Sequence, residues 1–170
     1  MKMKEKGKLT IRDIAIMGVM IAILEAAKQA LAFLPNIELV TLLLILYTLF
    51  LGGKVFYVIF AYVLIEGCLY GFGIWWFEYL YVWPLLALFA WLFRRQDSVW
   101  FWSIFSGAYG LLFGALCALT QLVIGGPKSA FAWWVSGIPY DIVHGISNFV
   151  LCIILFRPLN AILSRLRIHG

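Results

Sequence analysis

The chain has 170 residues, of which 65% are hydrophobic, 18% aromatic and 12% charged, against about 25% charged in an ordinary globular domain. A soluble core of this size cannot hide so much apolar surface, so the composition specifies an integral membrane protein. The net charge of +5 is scattered between apolar runs rather than gathered on a basic domain, which excludes nucleic-acid binding.

A spanning helix needs about 20 mostly apolar residues. Cutting the chain at charge, Gly and Pro predicts an all-α, six-transmembrane-helix bundle over residues 11–167, between a basic cytoplasmic tail (1–10) and a short C-terminal tail (168–170). The first segment runs from about Ile11 to Leu34 and stops at Pro35-Asn36. The second, Glu38 to Leu51, is short for a full span and stops at Gly52-Gly53-Lys54. The third covers Val55 to Phe72, the fourth Trp76 to Phe93, the fifth Val99 to Ile124 and the sixth Ile138 to Leu163. Between the last two, Gly125-Gly126-Pro127-Lys128-Ser129 and the stretch to Val135 read as an interfacial loop or a short re-entrant piece. The first apolar segment is too long, and lacks the small-residue cleavage pattern, for a removable signal peptide.

Charge sets the orientation. With both termini inside, Lys2, Lys4, Lys6, Lys8, Arg12, Lys54, Arg94, Arg95, Arg157, Arg165 and Arg167 fall at the cytoplasmic face, leaving Lys28 within a span and Lys128 outside. The positive-inside rule therefore predicts an N-in, C-in protein of the cell membrane, with external connections at Leu34–Glu38, Gly73–Trp76 and Gly125–Ser136. The basic tail is also placed to touch anionic lipid.

Polar side chains inside a membrane are costly, so their depth is informative. At about 1.5 Å per residue, Glu25 lies about 21 Å above the start of the first span, with Lys28 higher still. Glu66, Glu78, Gln121, Asp141, His144 and Asn148 also fall in the outer half, and Asn36 and Glu38 sit on the first external turn. The polarity describes a cup open to the outside, which suits ligand capture better than a channel. Trp75, Trp76, Tyr79, Tyr81 and Trp83 rim it near one connection, and Phe131, Trp133, Trp134 and Tyr140 near another. Such rings serve either as an interfacial belt or as a surface that stacks on a flat ligand.

Asp141, His144 and Asn148, three and four residues apart, share one helical face. They either meet a ligand or brace neighbouring helices. Glu25 and Lys28, three apart, read as a local pair. Gly18, Ala22, Ala26 and Ala30 form a small-xxx-small stripe on the first span, repeated by Gly110, Gly114 and Ala118 on the fifth.

Enzyme chemistry is not expected. His144-Gly145-Ile146-Ser147-Asn148 resembles one element of the CAAX-processing intramembrane proteases, but the paired glutamates and second membrane histidine of that site are missing. The cysteines, Cys68, Cys117 and Cys152, stand singly in apolar stretches, so no metal or cofactor is expected. No GxxxxGK[ST] phosphate loop is present to use ATP.

Ala22-xxx-Ala26 with Ala30, Leu34-Pro35-Asn36-Ile37-Glu38, Gly71-Phe72-Gly73-Ile74-Trp75-Trp76, and Gly137-Ile138-Pro139-Tyr140-Asp141-Ile142-Val143-His144 give the chain a resemblance, over nearly its whole length, to the substrate-binding S components of energy-coupling factor (ECF) transporters. The resemblance implies a bacterial six-helix membrane subunit that binds a vitamin or related micronutrient from outside. A T component and two ATPase subunits are its implied partners, with Gly18, Ala22, Ala26 and Ala30 docking on the T component. It places substrate contacts at Asn36, Trp75, Trp76, Glu78, Tyr79, Gln121, Trp133, Tyr140, Asp141, His144 and Asn148. Aromatics beside acidic and amide groups favour a heteroaromatic ligand, neutral or cationic. An oligomeric membrane protein whose polar residues brace the bundle, and an intramembrane enzyme of unfamiliar type, are the alternatives.

Overall fold

The computed structural model describes residues 9–168, with side chains as far as Leu166. The first eight residues of the expected basic tail, the side chain of Arg167, and residues 169–170 lie outside the described residues. Five α-helices follow in order: α1 (Ile11–Leu31), α2 (Val40–Leu51), α3 (Val55–Tyr70), α4 (Ile74–Leu92) and α5 (Val99–Ile168), with a single 3-10 turn at Gly52–Lys54.

Each boundary has a local cause. Thr10 caps α1 in a reciprocal box with Asp13: the Asp13 amide donates to Thr10 Oγ1 at 3.1 Å, and the Thr10 amide donates to Asp13 Oδ2 at 2.9 Å. Asn36 takes φ 58°, a left-handed conformation that asparagine tolerates, and turns the chain from α1 toward α2. Gly52, at φ 59°, ends α2.

α2 is the axis of the bundle. Its residues from Val40 to Thr48 are all buried, as befits a helix apolar on every side, and it packs against α1, α3, α4 and α5. α1 is peripheral: Met17, Met20 and Leu24, spaced three and four apart, are its buried stripe. Gly18, Ala22, Ala26 and Ala30 lie on its exposed side.

The 70 residues of α5 cannot be one rod. A straight helix of that length measures about 105 Å, yet the rings of Trp102 and Phe156 stack 6.1 Å apart. Gly126, at φ 76° and ψ −175°, breaks the helix, and arms 99–125 and 127–168 fold back on each other. Pro127 suits the first position of the second arm, where its missing N–H costs nothing. Gly107 and Gly110 face Gly145, and the Gly114 amide donates to Asp141 Oδ1 at 2.9 Å. The small-residue pattern of the fifth expected span is thus consumed inside the chain, whereas that of α1 is not.

Among the described residues, four helical stretches are long and apolar enough to cross a membrane: Ile11–Leu31, Val40–Tyr70, Ile74–Leu92 and Val99–Leu166. The expectation was six. The second and third expected spans lie in one helical stretch interrupted by the 3-10 turn, and the expected external loop at 125–136 is helical except at Gly126. Gly-Gly-Pro marked a real break, but a single residue suffices to make it.

Two ends can be told apart. At one, Lys54 pairs with Asp13 at 2.8 Å and the Arg12 guanidinium donates to the Leu166 carbonyl at 2.9 Å. At the other lie Lys28, Glu38, Glu66 and His144.

Candidate ligand-binding site at the polar end

Two adjoining cavities open at the end remote from Arg12 and Lys54, and share Lys28, Ala32 and Tyr79 as walls. The first, about 250 Å³, lies beneath the α1–α2 turn between Asn36, Glu38, Tyr62, Trp83, Phe113 and His144. The second, about 370 Å³, is bounded by Gln29, Glu66, Tyr70 and Trp75. Every helix contributes to one or the other.

The first cavity is organised by Glu38. Its Oε2 accepts the Thr41 amide at 2.9 Å, satisfying one of the free N–H groups of the first turn of α2. Its Oε1 accepts His144 Nε2 at 3.1 Å. Burial works to raise the carboxyl's affinity for a proton, but the His144 and Thr41 contacts outweigh it and hold Glu38 below the ordinary glutamate range. Ser147 Oγ reaches both the Asn36 and His144 carbonyls at 3.0 Å, tying the turn to the second arm of α5. Phe113 meets the His144 ring edge-on, centroids 4.9 Å apart. Tyr62 and Trp83 also line this cavity, while the Tyr62 hydroxyl and Trp83 Nε1 are buried out of reach of solvent and without a partner. Orphaned polar groups of this kind are costly in a closed interior.

The second cavity is organised by Lys28, whose ammonium pairs with Glu66 Oε2. Expected as the local partner of Glu25, Lys28 instead reaches from α1 to α3, and both Glu25 carboxylate oxygens stay buried without a hydrogen-bond partner. Gln29 Nε2 donates to the Tyr70 hydroxyl.

Of the residues expected to contact substrate, Asn36, Trp75, Tyr79 and His144 line these cavities. The others line neither. Trp76 Nε1 donates to the Val63 carbonyl at 2.9 Å, clamping α4 to α3. Glu78 is buried against Cys117. Asp141 holds the two arms of α5 together through Gly114, and Asn148 is buried with its Nδ2 unpartnered. Gln121 is half-buried, and Trp133 and Tyr140 are exposed on the second arm of α5. Lys28, Glu38, Glu66, Tyr62 and Tyr70 are the additions; the first three carried a signal as charges at outer depth.

His144→Ala is expected to weaken retention of a co-purifying small molecule about tenfold or more, since it removes a cavity wall and the partner of Glu38. Trp133→Ala should leave retention unchanged. Mass spectrometry of material released from each purified variant measures both.

Among the described residues, no group of three or more His, Cys, Asp or Glu gathers as a metal site requires. No family model, curated protein or solved structure matches the chain.

Proposed function

We propose that the chain is the substrate-binding S component of an ECF-type uptake transporter in a bacterial cell membrane, capturing a vitamin-like heteroaromatic molecule from outside. The observation that carries this reading is the pair of aromatic-walled cavities at the end away from Arg12 and Lys54, with Lys28, Glu38, Glu66 and His144 among their walls. The breaks at Gly52 and Gly126 fall inside two of the four apolar stretches, at positions compatible with the six-helix arrangement that the family resemblance implies.

The exposed face of α1 supports the second half of the proposal. A Cβ added at Gly18 meets nothing within 4 Å, and Ala22, Ala26 and Ala30 continue the same open stripe. Small residues allow helix backbones to approach closely in a membrane. This stripe is the docking face for the T component, which with two ATPases supplies the energy that the chain has no phosphate loop to harness.

Replacing Ala22 and Ala26 together with Trp should abolish co-purification with a T component and two ATPases, and abolish uptake, while small-molecule retention persists. The same stripe would also serve a self-associating protein. In that case the double variant dissociates an oligomer in detergent, and no ATPase module is recovered with the unaltered chain.

A further inference from the structure

The walls of the two cavities carry more negative than positive charge. Glu66 is fully buried, with one oxygen on Lys28 and the other, Oε1, without a partner. Glu38 lines the adjoining space; Glu25, three residues before Lys28, lies outside both walls with its oxygens buried and unpartnered. Among the described residues, Lys28 is the one lysine or arginine on either wall.

The Lys28 ammonium itself sits among aromatic faces. It lies 5.2 Å from the ring centre of Tyr70, 5.4 Å from Tyr79 and 5.9 Å from Trp75. An ammonium within about 6 Å of several ring faces is the arrangement by which proteins hold organic cations. In this chain the cation is the protein's own, on a flexible four-carbon stem.

We propose that the ligand carries a cationic nitrogen, which takes the place of the Lys28 ammonium between Tyr70, Trp75 and Tyr79 and against Glu66. The proposal rests on reading the cavities as a ligand site and narrows the substrate to molecules with a protonated or quaternary nitrogen. Exchange, rather than addition, follows from burial. The Lys28 side chain is 28% exposed and has a way out, whereas Glu66 is 0% exposed and has none. A buried carboxylate must keep a counter-charge, so Lys28 is released when another cation arrives. An anionic ligand at Lys28 would bring a further negative charge beside the buried Glu66 and the neighbouring Glu38.

The test uses the purified full chain in detergent, with tryptophan fluorescence titrated by benzyltrimethylammonium and by benzenesulfonate, an aromatic anion of similar size. The cation should quench saturably and bind at least tenfold more tightly than the anion. Glu66→Gln should weaken cation binding at least tenfold, and Lys28→Met, which vacates the cage, should strengthen it severalfold. Preference for benzenesulfonate, equal affinity, or no binding of either probe by the unaltered protein overturns the proposal without relying on any variant. Recovery of the ATPase module with the chain does not depend on probe charge, so the transporter reading stands or falls separately.

Discussion

Gly110→Leu is expected to abolish the folded protein. A Cβ at this position lies 2.9 Å from the Gly145 Cα and amide nitrogen and from the His144 carbonyl carbon. These are backbone atoms of the opposing arm, which cannot turn aside as a side chain can. Overpacking an adaptable core costs about 1–3 kcal/mol, occasionally more, and here relief requires the two arms of α5 to separate. Separation also breaks the Gly114–Asp141 hydrogen bond and pulls His144 from Glu38. The variant should give no monodisperse peak in size-exclusion chromatography, whereas Gly18→Leu, with open space around it, should elute like the parent. A Gly110→Leu protein with unaltered elution and melting would mean that the arms do not pack as described.

Lys28→Met should produce the largest loss among changes that still fold. It strands the Glu66 carboxylate, whose side chain is 0% exposed. Removing one partner of a buried ion pair costs about 3–5 kcal/mol, and the partial exposure of Lys28 puts the expected value near the lower end. For a chain of this size that is about 6–12 °C of thermal midpoint. Adding Glu66→Gln to Lys28→Met should restore most of the loss, because the neutral amide needs no counter-charge. If the double variant melted no higher than the single, the pairing would not be the source of the stability.

Much of the architecture was legible because hydropathy, caps and glycines act locally. The first expected segment begins where α1 does, at Ile11, but runs to Leu34 at Pro35-Asn36, three residues past the end of α1 at Leu31. The segment at 125–136 was misjudged for the opposite reason. Several turn-forming residues in a row look like a loop, but Gly126 alone absorbs the reversal and Pro127 is compatible with immediate resumption of the helix. The site divides in the same way. Asn36, Trp75, Tyr79 and His144 could be found from depth and aromatic content. The Lys28–Glu66 pair could not, since the nearer Glu25 is an equally good partner by spacing and the choice is made by how α1 meets α3. Asp141 and Asn148 share a helical face with His144, but periodicity does not say which neighbour each will meet.

α2 has 12 residues, about 18 Å of helix, where the hydrocarbon layer is about 30 Å deep. α2 is therefore about 12 Å shorter than that layer, and Glu38 and Val40 place the first cavity at its N-terminal end. The space of the first cavity thus begins where the central helix stops. Two further turns inserted ahead of Val40 would fill the vault with main chain, however well every wall were preserved.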